Sequence, residues 1–97
     1  MNEIKIQAVC GFGCGSSLFL RMKIEEVLKA NGLSATVFCG DVGTCLSQQC
    51  DAIFISEELS SRIENRTKIP VVVIKNFMNK TEVETKTLEF FKSLTNN

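Results

Sequence analysis

Residues 9–17, Val-Cys-Gly-Phe-Gly-Cys-Gly-Ser-Ser, constrain the fold of this chain more than any other stretch. The preceding residues 3–9 alternate apolar side chains with others, which is the period of a β-strand. The residues that follow place apolar side chains at helical spacing. The sequence therefore predicts a strand over residues 3–9, a glycine-rich loop, and a helix over residues 17–31 with Ser16 or Ser17 as its N-cap.

The same alternation of strand and helix patterns continues to the end of the chain. Further strands are predicted over residues 33–39, 51–55 and 69–74, and further helices over residues 57–66 and 80–94. Strands that alternate with helices are joined by right-handed crossovers into a parallel sheet. We therefore expect an α/β fold of three layers, a four-stranded parallel sheet flanked by helices, in one domain over residues 1–97.

Particular residues predict where these elements begin and end. Gly32 is expected to end the first helix in the left-handed conformation, and residues 40–44, Gly-Asp-Val-Gly-Thr, are expected to mark the end of the second strand. Residues 41–49 are predicted to be a loop with one or two helical turns, in which Asp41 caps the first turn. The caps expected for the later helices are Ser56, and Thr81 paired with Glu84.

Composition excludes several classes of function. Eleven basic residues balance eleven acidic ones, which gives no electrostatic basis for binding nucleic acid or an anionic membrane. The longest apolar runs are far shorter than the ~20 residues that span a bilayer, so no membrane insertion and a cytoplasmic location are expected. Five cysteines without a histidine, at spacings unlike a zinc knuckle, predict free thiols and neither metal nor cofactor.

The glycine-rich loop suggests an anion-binding site that contains a nucleophile. Alternating glycines let successive backbone N–H groups converge, and a helix N-terminus adds partial positive charge, so phosphate can be held without a basic side chain. The same field favours the thiolate of Cys10. Since the chain has no histidine, any phosphoryl transfer must use this thiol. The predicted site comprises Cys10 as the catalytic residue and, as phosphate-binding residues, Gly11, Phe12, Gly13, Cys14, Gly15, Ser16 and Ser17.

Other interpretations of the loop fit less well. A nucleotide P-loop requires a lysine that this loop lacks. A dinucleotide fingerprint would use Gly11 and Gly13, with Asp41 on a ribose, but it has Ser16 in place of the third glycine. A plain turn with Cys10 as a small buried residue needs fewer glycines. In a tyrosine-phosphatase loop the sixth residue after the cysteine is arginine; here it is Ser16, which favours phosphate capture over hydrolysis.

Residues 8–17, followed by Met22-Lys23 and a helix rich in valine and leucine, resemble the IIB component of the bacterial sugar phosphotransferase system (PTS). The closest branches are the ascorbate type and the lactose/cellobiose type, and the similarity extends over the chain. The resemblance implies a fold similar to low-molecular-weight tyrosine phosphatase. It also implies a protein-phosphohistidine–sugar phosphotransferase, in which Cys10 becomes phosphocysteine and residues 11–17 form its cradle.

The resemblance implies two partners: a IIA protein that donates phosphate from a histidine, and a membrane IIC permease that holds the sugar. Two alternatives stay open. The first is a small cysteine-dependent phosphatase or thiol reductase on the same scaffold, which hydrolysis of aryl phosphate or turnover of arsenate would favour. The second is a regulatory binding module, whose function would not depend on the Cys10 thiol.

Overall fold

A computed structural model of the chain describes residues 4–10, 14–76 and 78–95. Its elements are strand β1 (Lys5–Cys10), helix α1 (Cys14–Ala30), strand β2 (Thr36–Asp41), a 3₁₀ helix (Cys45–Ser47), strand β3 (Ala52–Ser56), helix α2 (Glu57–Ser60), strand β4 (Val71–Ile74) and helix α3 (Lys80–Thr95). The predicted order of strands and helices is confirmed.

The four strands form one parallel sheet in the order β2-β1-β3-β4. Strand β3 is central and buried on both faces, as its lack of polar alternation predicts. Strand β4 lies at an edge and begins directly after Pro70, whose carbonyl accepts a hydrogen bond of 3.0 Å from Ile53 N–H. Proline is tolerated there because it precedes the first ladder pair between β3 and β4, Ile53 with Val71.

The sheet separates two apolar clusters. The larger cluster lies between the sheet and helices α1 and α3, and it contains Ile6, Ala8, Leu20, Ile24, Phe54, Val83 and Phe90. The smaller cluster lies on the other face, under the 3₁₀ helix and α2, and contains Val9, Cys45, Ile53, Ile55 and Ile63. Consecutive residues of β1 and β3 thus enter opposite clusters, so the predicted three-layer architecture is confirmed.

Helix α1 begins earlier than predicted, at Cys14, so Ser16 and Ser17 lie inside its first turn and the predicted N-cap there is wrong. A glycine inside a helix costs only about 1 kcal/mol, and packing of the long α1 against the sheet outweighs this cost at Gly15. The predicted end of the helix is confirmed, because Gly32 has a φ of +66° and follows the last helical turn.

Strand β2 is displaced from its predicted range and continues through Gly40 to Asp41. The ladder to β1 sets these bounds, since it pairs Lys5 with Thr36 at one end and Cys10 with Asp41 at the other. The strand thus ends within residues 40–44, where its end was predicted, but Gly40 itself lies inside it. A glycine is needed at this position because the Gln7 side chain of the neighbouring strand packs directly against it.

Helix α2 is a single turn, whereas a helix over residues 57–66 was predicted. Ser56 precedes it but makes no side-chain capping bond. The Ser60 hydroxyl donates to the Glu57 carbonyl at 2.9 Å, and such a bond competes with continuation of the helix. Residues 61–66 follow as turns, which still bury Ile63.

The N-cap of helix α3 is Asn79, so the capping box predicted for Thr81 and Glu84 is wrong. The Asn79 side-chain oxygen accepts a hydrogen bond of 3.1 Å from Glu82 N–H. The Glu82 carboxylate accepts bonds from Lys75 N–H at 2.7 Å and Asn76 N–H at 3.0 Å. These contacts tie the end of β4 to the start of α3.

Candidate active site at the carboxyl ends of the strands

Strands β1 and β2 end side by side. Parallel α/β folds bind their ligands at the carboxyl ends of the strands, and these two ends therefore mark the candidate site. Their last residues, Cys10 and Asp41, are register partners. Neighbouring strands are about 4.8 Å apart, so the backbone of an acidic residue lies directly beside the backbone of Cys10.

The structure places part of the predicted phosphate cradle. Cys10 is the last residue of β1, and Cys14 is the first residue of α1, so three residues join the strand to the helix. Gly11, Phe12 and Gly13 lie outside the described residues, as do the side chains of Cys10 and of residues 14–17. Gly15, Ser16 and Ser17 belong to the first turn of α1. That these residues bind phosphate stays a prediction.

The Asp41 carboxylate is held by the next turn. Its Oδ1 accepts a hydrogen bond from Thr44 N–H at 2.8 Å and another from the Thr44 hydroxyl. The hydroxyl, and after it the N–H, lower the pKa of Asp41 because both stabilise the carboxylate. The prediction that Asp41 caps the turn after β2 is confirmed.

Gln7 is a fully buried polar residue of β1 that the sequence analysis did not identify. Its Nε2 donates to the Cys45 carbonyl at 3.0 Å and approaches Cys50 Sγ at 3.6 Å. Its Oε1 is buried and has no hydrogen-bond partner among the described residues. Gln7 thus fastens the 3₁₀ helix to the middle of the sheet.

Gly40 makes room for this glutamine. A Cβ at position 40 would lie 1.8 Å from Gln7 Oε1 and 2.7 Å from Gln7 Cδ, distances that no side chain tolerates. A glycine inside a strand is a sequence signal for close approach by another group, and it could have pointed to a buried partner here.

Cys45 and Cys50 both contact the Gln7 side chain. Burial raises the pKa of both, so they remain protonated near neutral pH. The Cys45 thiol donates a bond of 3.6 Å to the Val42 carbonyl. These two cysteines therefore act as small packing groups and offer no second nucleophile beside Cys10.

Helix α1 exposes apolar side chains close to the predicted cradle. Leu18 and Met22, four residues apart, are both about half exposed. Between them in sequence, Phe19 is in contact with Lys23, whose Nζ lies 5.3 Å from the ring centroid. The helix that begins after the loop thus carries a partly apolar surface next to its N-terminus.

In the part of the chain that the structure describes, no helix combines the length and apolar character needed to cross a membrane. Those residues also contain no group of three or more acidic or cysteine side chains arranged to bind a metal ion.

Comparison with known proteins identifies the family. Residues 5–88 match the family model described as PTS system, lactose/cellobiose-specific IIB subunit. The ascorbate-specific PTS EIIB component of Shigella sonnei is 32% identical, over 93% of this chain and 91% of that protein. The ascorbate-specific PTS EIIB component of Mycoplasma pneumoniae is 29% identical, over 86% of this chain and 90% of that protein.

A solved structure supports the fold. The lactose-specific IIB component domain of the phosphotransferase system from Streptococcus pneumoniae superimposes with a TM-score of 0.70 at 20% identity. The alignment covers 95% of this chain and 97% of that chain. The parallel sheet and flanking helices are thus those of a IIB domain.

Proposed function

Because the chain belongs to the lactose/cellobiose-specific IIB family of the sugar phosphotransferase system, we propose that it carries phosphate on Cys10. The phosphate comes from a phosphohistidine of a IIA protein and passes to a sugar bound by a membrane IIC protein. The protein acts in the cytoplasm between these partners.

One observation carries the proposal: a cysteine ends β1, and three residues separate it from the start of helix α1. The first N–H groups of a helix have no partner within it, and the helix dipole places partial positive charge there. A phosphate on Cys10 would lie close to this terminus. Residues 11–17 would supply backbone N–H groups to its oxygens, so that no basic side chain is needed.

The chemistry is a pair of in-line displacements. In the first, the Cys10 thiolate attacks phosphorus, the S–P bond forms, and the P–N bond to the donor histidine breaks. In the second, a sugar hydroxyl attacks phosphorus, the S–P bond breaks, and the thiolate is regenerated as the hydroxyl proton is lost. Loose transition states of this kind need mainly positioning and charge stabilisation, which backbone amides provide.

A relay is favoured over a phosphatase because the loop lacks an arginine at the position that tyrosine phosphatases use. Hydrolysis requires an ordered attacking water and a stabiliser for the equatorial oxygens, roles that an acid and an arginine fill in phosphatases. Here Ser16 occupies the arginine position, and the Asp41 carboxylate is bonded to Thr44. The phosphothiol should therefore persist until an acceptor arrives.

The partly apolar surface of α1 suits a docking partner. A IIA protein that delivers phosphate to Cys10 must cover the edge of the sheet beside the start of α1. Leu18 and Met22 lie in the second and third turns of that helix and are exposed. Burial of such side chains provides the apolar centre that protein interfaces use.

The proposal is tested with the phosphorylated IIA partner. We expect one phosphate per chain by intact-mass spectrometry, lost in Cys10→Ser and retained in Cys39→Ser, a matched change at a half-buried cysteine of β2. Aryl phosphate should not be turned over. Phosphate retained in Cys10→Ser, or aryl-phosphate turnover at phosphatase-like rates, would contradict the relay.

A further inference from the structure

We propose that Thr44, braced by Gln7, is a positioning residue that keeps the Asp41 carboxylate turned away from the anion on Cys10. The proposal rests on the proposed function of Cys10 for its biological meaning. The effect of Thr44 on the electrostatic potential at the Cys10 thiol can be tested separately from phosphate transfer.

Asp41 lies next to Cys10 in the sheet. It is the register partner of Cys10 on the adjacent strand, and its side chain is exposed. No ion pair neutralises it within the described residues. A carboxylate free to rotate beside Cys10 would repel both the thiolate and an incoming phosphoryl group.

Thr44 fixes the direction of this carboxylate. Its N–H and its hydroxyl both donate to the same oxygen, Asp41 Oδ1. Because Thr44 is three residues further along the chain, these two bonds orient the carboxylate toward the turn that follows β2. Hydrogen bonds to a charged acceptor are stronger than neutral ones, so they hold the side chain even though it is exposed.

Thr44 is itself held from within the sheet. The residue that follows it, Cys45, is fully buried, and the Cys45 carbonyl accepts the hydrogen bond from Gln7 Nε2 at 3.0 Å. Gln7 reaches this carbonyl across Gly40, which has no Cβ to obstruct it. A continuous series of contacts thus runs from the interior of β1 to the carboxylate beside Cys10.

The test compares a charged and a neutral alkylating reagent at Cys10. Iodoacetate carries a negative charge and iodoacetamide does not, so the ratio of their rates reports the local potential. Peptide mapping confines the measurement to Cys10. Thr44→Val removes the hydroxyl donor but keeps the Thr44 N–H, so it loosens the carboxylate and does not free it. The iodoacetate/iodoacetamide ratio should fall about threefold, less than the roughly fivefold effect of a full unit charge about 4 Å away in water. A change in access alone would slow both reagents equally.

Three matched variants complete the design. Thr44→Ser keeps both donors and should retain the wild-type ratio. Asp41→Asn should keep or raise the ratio, and Thr44→Val/Asp41→Asn should restore it. At 1 M salt, where the screening length is about 3 Å, the effect of Thr44→Val should shrink. Phosphorylation by the IIA donor should slow in Thr44→Val and recover in the double variant.

The result that would overturn the proposal is a ratio unchanged in Thr44→Val, or one that Asp41→Asn does not restore. Failure of the relay is a different outcome. If Cys10→Ser is still phosphorylated, the proposed function fails, while the reagent ratio at the Cys10 thiol still decides the role of Thr44.

Discussion

Gly40→Ala gives a direct test of the packing that supports the candidate site. The new methyl group would lie 1.8 Å from Gln7 Oε1, 2.7 Å from Cδ and 3.0 Å from Cγ. Since carbon atoms pack at about 3.5–4.0 Å, the Gln7 amide must move by roughly 1.5 Å or more. Gln7 is fully buried, so its amide cannot move into solvent unless neighbouring parts of the sheet shift as well.

The cost follows from the contacts that are lost. Overpacking a buried site costs about 1–3 kcal/mol, and leaving the Cys45 carbonyl without Gln7 Nε2 costs about 1–3 kcal/mol. Alanine recovers about 0.5–1 kcal/mol relative to glycine in a strand through lower unfolded-state entropy. We expect a net loss of about 2–4 kcal/mol, which for a domain of this size lowers Tm by roughly 10–25 °C.

Urea unfolding followed by circular dichroism is the suitable assay, because the chain has no tryptophan or tyrosine for fluorescence. A double-mutant cycle with Gln7→Ala isolates the contact. Gly40→Ala should cost about 1 kcal/mol or less once Gln7 is shortened, which gives a coupling energy of about 2 kcal/mol. Two results would refute the reasoning. One is additive effects of the two substitutions, and the other is a cost of Gly40→Ala below about 1 kcal/mol when Gln7 is unchanged.

Three further predictions concern packing, capping and pH. Phe54→Ala removes a fully buried ring that packs edge to face with Phe90 at 6.2 Å, and it should cost about 3–5 kcal/mol in urea unfolding. Asn79→Ala removes the acceptor for Glu82 N–H and should cost about 1 kcal/mol, measured in the same way. The hydroxyl and amide donors that lower the pKa of Asp41 should stabilise the fold fully above the unfolded value of 3.8, and this contribution should disappear as pH falls through the lower folded pKa. Comparison of Tm in Asp41→Asn and wild type across this acid range checks the sign.

The architecture could be predicted from the sequence because local patterns and tertiary packing agree for most elements. Residues 53–55 lack polar alternation, and they lie in the central strand β3. Gly32 follows a long apolar helical pattern, and it adopts the positive φ that ends α1. In both places one physical requirement dominates, so a short window of sequence contains the signal.

Errors arose where a distant contact determines the local structure. Gly40 was placed just beyond a strand predicted over residues 33–39, but Gln7, on the neighbouring strand, requires a glycine inside β2. Gln7 itself was treated as a polar partner of the alternating apolar residues, because period-two alternation does not show which residue of another element a polar side chain will contact. Such pairings depend on the register between β1 and β2, which no local window contains.

The position of Cys10 at the end of a strand could be predicted because it depends on chain order. Cys10 ends β1 and a helix follows the glycine-rich stretch, although α1 begins at Cys14, earlier than predicted. The position of Asp41 beside Cys10, and the role of Thr44 in holding its carboxylate, result from the β1–β2 ladder and the turn that follows it.

The most direct test of the central claim, that Cys10 carries phosphate without hydrolysing it, is the fate of the isolated phosphoprotein. The protein is phosphorylated by its IIA donor, purified, and mixed with unphosphorylated IIA protein. We predict that peptide mapping places the phosphate on Cys10, and that the phosphate returns to the IIA histidine with little free phosphate released. Release of inorganic phosphate at the rate of capture, or phosphate on another residue, would contradict the account.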